Sequence, residues 1–288
     1  MKKIKNTMEI LKTISGMQEW SKCKKEESKT ICFVPTMGYL HQGHISLMEK
    51  GKHLCHELVI SIFVNPSQFG PNEDLDTYPS DIENDLALAR KAGVTAVFLP
   101  SKNTIYPENF QTEIKLQTLP QFLCGKFRPV FFSGVTTVVT KLFNIVMPDI
   151  AVFGQKDYQQ LQIIRQLILD LNFNIKIVSG DIIREKDGLA MSSRNAYLSK
   201  PQRAYALCLS KSLNMACNMI DKGEKNPEII KHKMEAFIGA FPETNIEYIN
   251  FCDPETLEDI NIIKDETLIA LVVKVGDTRL IDNTIIDS

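Results

Sequence analysis

Phe33-Val34-Pro35-Thr36-Met37-Gly38-Tyr39-Leu40-His41-Gln42-Gly43-His44 decides how this chain of 288 residues is read. Ile31 to Val34 is a short apolar run of the kind that forms a buried strand. Pro35 and Gly38 punctuate a turn, and Ile45, Leu47 and Met48 resume with helical character. The stretch therefore predicts a strand handing over to a helix that begins near Gly43, with His41 and His44 three residues apart at the junction. The start of such a helix offers unpaired backbone N–H groups and a positive dipole end, which suits a phosphate. The two imidazoles can donate hydrogen bonds to phosphate oxygens without a full-time positive charge. The outline is that of a nucleotide-handling site.

Working outward, the first two-thirds of the chain alternates strand-like runs with helical periodicity. Ile31–Val34, Leu58–Val64, Val94–Leu99, Ile150–Phe153 and Ile175–Val178 are candidate parallel strands. Helices are expected near 44–53, 80–92, 134–147 and 157–171. Val135, Val138, Val139, Leu142, Phe143 and Val146 share one face of the third, and Leu161, Ile164, Leu167, Ile168 and Leu171 one face of the fourth. This alternation argues for an α/β fold with a wound parallel sheet, whose ligands bind beyond the carboxyl ends of the strands where the strand order reverses. After Arg184 the pattern changes. Helices at about 201–221 and 227–239 precede apolar runs at 246–251, 268–275 and 278–282, and Gly276-Asp277 is a hairpin turn pair. A smaller α+β domain is expected from residue 185 to 288, after a first domain over 1–184.

Composition narrows the function. A formal charge of -2 gives no general pull toward nucleic acid or an anionic membrane, and 44% hydrophobic with 24% charged residues is ordinary for a soluble globular protein. No apolar run approaches the roughly 18–20 residues that span a bilayer. The basic stretch Met1-Lys2-Lys3-Ile4-Lys5-Asn6 is not followed by an apolar signal core, so a cytoplasmic protein is expected. The seven cysteines are scattered without a Cys-x-x-Cys pair and read as reduced thiols.

Three further segments carry polar groups at expected strand ends or junctions. Asn65 and Gln68, in Val64-Asn65-Pro66-Ser67-Gln68-Phe69, fall just past a buried strand, where amides can read hydroxyl and carboxylate groups; Asn-Pro is equally a common turn pair. Phe153-Gly154-Gln155-Lys156-Asp157-Tyr158-Gln159-Gln160 follows a strand and opens a helix, with Lys156 where a phosphate would lie, Asp157 placed to cap and Gln160 one turn in. Gly188-Leu189-Ala190-Met191-Ser192-Ser193-Arg194-Asn195 sets two hydroxyls beside a guanidinium, a polyphosphate clamp or else a polar interdomain loop.

In this order and spacing the four segments resemble the pantothenate synthetase (pantoate–β-alanine ligase) family. The similarity extends to Thr140-Lys141-Leu142-Phe143-Asn144, Pro148-Asp149 and Arg279-Leu280-Ile281-Asp282-Asn283, and so covers nearly the whole chain. The resemblance implies a Rossmann-like N-terminal domain that binds ATP and pantoate, a small C-terminal lid domain, and a homodimer. It implies attack of the pantoate carboxylate on the α-phosphorus of Mg2+-bound ATP, then attack of the β-alanine amine on the pantoyl adenylate, releasing AMP. It also implies roles by position. Met37, Gly38, Tyr39, Leu40, His41, Gln42, Gly43 and His44 match an ATP segment in which His44 and His41 are catalytic. Gly154, Gln155, Lys156 and Asp157 match a second ATP segment, with Lys156 neutralising phosphate charge. Ile183 matches a backbone contact to adenine, and Met191, Ser192, Ser193 and Arg194 a flexible phosphate loop. Gln68 and Gln160 match pantoate ligands, with Asn65, Tyr78 and Arg128 lining the pantoate and β-alanine cleft. No metal ligands are legible.

The chain departs from the family pattern at Phe131, where a histidine is usual, at Cys124 and Gln155, where glutamates are usual, and at Ser80, where an arginine is usual. Two other readings follow: a nucleotidyltransferase with a different acceptor, against which Gln68 and Gln160 argue, and a catalytically impaired nucleotide-binding homologue, which Phe131 and Cys124 motivate.

Overall fold

A computed structural model of the chain describes residues 8–71, 73–264 and 266–286; the basic stretch at 1–6 lies outside them. In chain order the described residues form β1 (Glu9–Leu11), α1 (Ile14–Glu26), β2 (Ile31–Thr36), α2 (Gln42–Lys52), β3 (Glu57–Ile62), α3 (Ile82–Ala92), β4 (Ala96–Phe98), α4 (Lys102–Ile105), α5 (Leu123–Phe127) and α6 (Phe131–Val146). They continue with β5 (Ile150–Gly154), α7 (Tyr158–Asp170), β6 (Lys176–Gly180), α8 (Lys200–Ala206), α9 (Cys208–Asp221), α10 (Pro227–Gly239), β7 (Thr244–Cys252), β8 (Thr267–Val275) and β9 (Thr278–Ile286). Single 3-10 turns at Pro66–Gln68 and Gln155–Asp157 follow β3 and β5.

The chain divides into two compact units. The first takes residues up to Gln117 with Arg128–Gln155 and Gln160–Asp181; the second takes Thr118–Phe127, Lys156–Gln159 and Ile182 onward. Two short segments of the first two-thirds thus pack with the C-terminal third.

In the first unit a parallel sheet runs in the order β1-β4-β3-β2-β5-β6. Alternate residues of β2 feed opposite cores, because successive strand side chains point to opposite faces. Ile31 and Phe33 join a core with Val135, Val139 and Phe143 of α6 and Leu161, Ile164 and Leu167 of α7. Cys32 and Val34 join another with Leu47 and Met48 of α2 and Ala89 and Ala92 of α3. The expected wound sheet, covered on both faces, is therefore present. The reading missed β1 and α1, and Leu171 lies past the end of α7, 45% exposed and outside the apolar face assigned to it.

The sheet order reverses between β2 and β5. Their pairing ends early, at Cys32↔Ile150 and Phe33↔Ala151, whereas β2 pairs with β3 as far as Thr36↔Ile62. The direction of the backbone groups gives the reason. Ile31 O accepts from Asp149 N and Thr36 O from Phe63 N, so the odd-numbered residues of β2 face β5. Pro35 is the next odd residue, and it has no N–H with which to prolong the ladder. A crevice opens at the carboxyl ends of the two strands, the usual ligand position in such sheets.

In the second unit β7, β8 and β9 form an antiparallel sheet, with β8 and β9 joined by the expected hairpin at Gly276-Asp277. Ile269, Leu271 and Val273 of β8 pack with helices α8 to α10 on one face. Leu268 and Ala270 pack with Leu123 and Tyr158 on the other. The helix expected over 201–221 is two helices that meet at Leu207.

Candidate functional site

The turn between β2 and α2 lies at the mouth of the β2/β5 crevice and is tied down at each step. Thr36 Oγ1 donates to Ser61 O at 2.7 Å and accepts from Gly38 N at 3.2 Å. Gly38 and Tyr39 both take left-handed backbone angles, φ 88° and 51°. A Cβ at Gly38 would stand 3.0 Å from Asp85 Oδ2 and 3.1 Å from Ile62 Cγ2, so the close approach and the backbone angle both favour glycine there. Asp85 of α3 is fully buried and accepts from Tyr39 N at 2.8 Å and Leu40 N at 2.7 Å. Burial pushes its carboxyl up from the ordinary range, and the two backbone bonds pull the other way.

His41 is the N-cap of α2, and with His44 it closes a reciprocal capping box. His41 Nδ1 accepts from Gly43 N at 3.1 Å, and His44 Nδ1 accepts from His41 N at 3.3 Å. The rings lie 4.1 Å apart, tilted by 37°. An imidazole nitrogen that accepts from a backbone N–H carries a lone pair, so in each neutral ring the proton sits on Nε2. The cap thus selects one tautomer for both histidines and makes each Nε2 a donor at a helix N-terminus.

Gln68 stands on the 3-10 turn after β3. Its Oε1 accepts from Asn65 Nδ2 at 3.0 Å and its Nε2 lies 3.1 Å from Met37 Sδ, which joins this turn to the histidine turn. Asn65 is 1% exposed. Its Nδ2 also donates to Gly134 O at 3.1 Å, and its Oδ1 accepts from Ser67 Oγ at 2.9 Å and Tyr106 Oη at 2.8 Å. The Asn65 amide thus spends both of its donors and its oxygen on groups of the protein itself. Because Gly134 O can only accept, the amide cannot flip, and this fixes Gln68 with its oxygen inward and its nitrogen toward Met37. Gly134 permits the approach of α6: a Cβ would lie 2.3 Å from Ser67 O.

Arg128 sits on the other side of Gln68. It donates to Gln68 O at 3.2 Å and forms a forked pair with Glu73, in which Nε to Oε1 measures 2.7 Å. The ring of Phe131 lies 3.8 Å from the Arg128 guanidinium carbon, so the residue that replaces the usual histidine holds the arginine through its π-face. Tyr78 packs edge-on against Phe69 at 6.0 Å. Gly154 and Gln155 lie at the end of β5, and Gln160 is the third residue of α7.

The remaining predicted residues belong to the second unit. Asp157 and Lys156 share the 3-10 turn before α7. Ile183 O accepts from Met191 N at 2.9 Å, and Arg184 bridges Ala190, which folds 183–191 back on itself. Ser192 caps the 3-10 stretch Ser193–Tyr197, accepting from Arg194 N at 3.3 Å. Cys124, at the position of a usual glutamate, lies 3.5 Å from Arg279 Nη2, and Glu247 supplies that guanidinium with a carboxylate. Two departures from the family pattern are therefore matched by local partners.

Sequence reasoning missed Asp85, Glu73, Tyr106 and Ser67. Only Asp85 left a signal. It falls on the inward stripe of α3 with Ile82, Leu86 and Ala89, where a carboxylate needs a buried partner.

A wound parallel sheet with a donor-bearing helix N-terminus at its crevice places this chain among the α/β proteins that hold anionic ligands at such a point. Comparison with known proteins narrows the class. The family model described as pantoate-beta-alanine ligase matches residues 9–285. The pantothenate synthetase of Desulfatibacillum aliphaticivorans is 53% identical over 280 residues, covering 97% of this chain and 100% of that protein. The pantothenate synthetase of Thermus thermophilus superposes with a TM-score of 0.92 at 37% identity, covering 98% of this chain and 100% of that one. A pantoate-beta-alanine ligase from Francisella tularensis, solved with a β,γ-ATP compound and β-alanine, gives a TM-score of 0.78 at 33% identity over 97% and 98% of the two chains. The chain belongs to the pantoate–β-alanine ligase family.

Proposed function

We propose that this enzyme joins pantoate to β-alanine in two steps driven by ATP. The pantoate carboxylate attacks the α-phosphorus of Mg2+-bound ATP, giving pantoyl adenylate and pyrophosphate. The β-alanine amine then attacks the activated carbonyl, giving pantothenate and AMP. The observation that carries the reading is the tautomer-locked pair His41 and His44, presenting Nε2–H donors at the N-terminus of α2, beside Gln68.

Two anions must meet in the first step, so positioned donors have to take up the phosphate charge before attack. His44 and His41 donate to phosphate oxygens, and the turn from Met37 to Gly43 shapes the approach. Gln68 holds pantoate through its outward Nε2 together with Gln160, and Asn65 positions Gln68. Tyr78 and Arg128 line the acceptor side, where Arg128 shares its charge between Glu73 and a substrate carboxylate. Lys156 meets the charge that moves onto pyrophosphate as the P–O bond breaks, flanked by Gly154, Gln155 and Asp157. Backbone groups near Ile183 read adenine, and Met191, Ser192, Ser193 and Arg194 hold the phosphates. A magnesium ion would arrive on ATP, ligated largely by phosphates and water.

No helix among the described residues is long and apolar enough to cross a membrane. A cytoplasmic homodimer is part of the same proposal, and Leu169, 70% exposed at the end of α7, is a surface that sedimentation of a Leu169→Glu variant can test.

The deciding experiment is ATP–pyrophosphate exchange with and without pantoate, followed by product analysis with β-alanine. Pantoate-dependent exchange that is lost in His44→Ala, with AMP as the nucleotide product, supports the ligase. ATP binding without exchange would point to the impaired homologue.

A further inference from the structure

The segment Arg279-Leu280-Ile281-Asp282-Asn283 belongs to the resemblance, yet none of its residues has a place in the chemistry above. It forms the middle of β9, an edge strand of the antiparallel sheet. Successive residues of a strand point to opposite faces. The register shows which faces these are. Asp282 lies opposite Leu271, whose side chain faces the helices, and Asn283 lies opposite Ala270, whose side chain faces Leu123 and Tyr158.

Each residue grips a different candidate ATP segment. Asp282, its side chain 1% exposed, takes the Arg184 guanidinium in a fork, with Nη1 to Oδ2 at 2.6 Å and Nη2 to Oδ1 at 3.0 Å. Arg184 Nη1 also donates to Gly188 O at 3.2 Å, so the fork anchors the fold-back that carries Ile183. On the other face Asn283 Nδ2 donates to Lys156 O at 2.8 Å. The two grips share a hinge, because Asn283 N donates to Asp282 Oδ1 at 2.9 Å. A forked, charge-assisted pair fixes orientation as well as distance.

We propose that Asp282 and Asn283 are positioning residues that act as one two-faced clamp. Asn283 sets the backbone of Lys156, and hence the direction from which its ammonium meets the phosphates. Asp282, through Arg184, sets the adenine-reading segment. The pair holds the two at a fixed separation for one nucleotide. This inference rests on the ATP roles proposed for Lys156 and Ile183.

The test is steady-state pantoate-dependent exchange in Asn283→Asp, which keeps the shape but loses the donor, and in Asn283→Ala. A displacement of about 1 Å at a catalytic group can cost on the order of 100-fold. The expected result is a fall in the exchange kcat of about 10- to 100-fold, with KM for pantoate unchanged and the variants still folded at the assay temperature despite a lower melting temperature. In a Lys156→Ala background the same substitutions should cost less than about twofold, since residues that act through one group are not additive. On the other face Arg184→Lys, which keeps the charge but loses the fork, should raise KM for ATP and leave KM for pantoate alone.

A wild-type kcat in both Asn283 variants overturns the clamp, and so does an equal loss in the Lys156→Ala background. A loss of activity fully accounted for by the unfolded fraction at the assay temperature assigns Asn283 to stability alone and also overturns it. Full exchange in Lys156→Ala by itself would overturn the role of Lys156 first, a distinct failure that removes the basis of the clamp.

Discussion

The turn over residues 36–44 and the segment over 185–195 both present polar groups from a loop, but they are held by different forces. The first is fixed by a fully buried carboxylate on two backbone N–H groups and by imidazoles bonded back to their own helix. The second is anchored at one end by the Arg184 fork on the buried Asp282, but the rest of it leans on partly exposed charge. Arg203 reaches Glu185 and Asp187, each at 2.8 Å, with side chains about a third exposed, and Asn195 Nδ2 reaches Glu185 at 2.8 Å. Buried bonds to backbone leave one arrangement, because breaking any of them strands a polar group away from water. Exposed ion pairs are weak and screened by salt, so they tolerate several arrangements. The contrast suits a rigid donor platform in one place and a loop that adapts to its ligand in the other.

The sharpest way to break this contrast is His44→Ala, which removes a donor aimed by the cap. Exchange should fall by about 10²–10³, as for other pre-positioned donors; a loss under tenfold would mean that the platform does not aim chemistry. Asp85→Asn comes next. It replaces one acceptor oxygen with a donor facing a backbone N–H, and should cost about 1–3 kcal/mol in stability and at least tenfold in exchange.

The same variant carries a pH signature. Burial raises the Asp85 carboxyl, so the folded state keeps its proton to higher pH than the unfolded chain does. Through the interval just above the ordinary carboxylate range this group makes stability fall as pH rises. Melting curves taken across mildly acidic pH should lose that slope in Asp85→Asn, and an unchanged slope would assign it to another group.

Gly134→Ala sharpens the contrast on the Gln68 side. Its methyl would strike Ser67 O, and overpacking of this kind costs about 1–3 kcal/mol. KM for pantoate should rise several-fold and KM for ATP should not. Arg203→Ala gives the smallest expected effect, under about 1 kcal/mol in stability. Its influence on KM for ATP should shrink further in high salt, and a large, salt-insensitive effect would make the two loops alike.

The sequence carried the parallel sheet because α6 and α7 each show an unbroken apolar face, and Ile31–Val34 has no polar residue to place at a surface. It could not carry β1, which has three residues, nor α1, whose buried side chains are only Met17, Trp20 and Ser21. The positions of His41, His44 and Gln68 were legible from their spacing at a strand end. Their wiring was not. Nothing in Asn65-Pro66-Ser67 tells that the amide turns inward, because its partners Tyr106 and Gly134 lie 41 and 69 residues away. The same holds for Asp282 and Asn283, whose partners come from 98 and 127 residues upstream.

Pro35 has one more consequence. By the register of β2 and β5 it faces Phe153, the position where the next rung would form if an amide hydrogen were present. The opening beside the 36–44 turn therefore follows from one absent amide hydrogen; it is a zipper with a missing tooth. Restoring that tooth, as in Pro35→Ala, would let the empty enzyme fasten its own doorway, and substrate would then have to compete with the protein's backbone for entry.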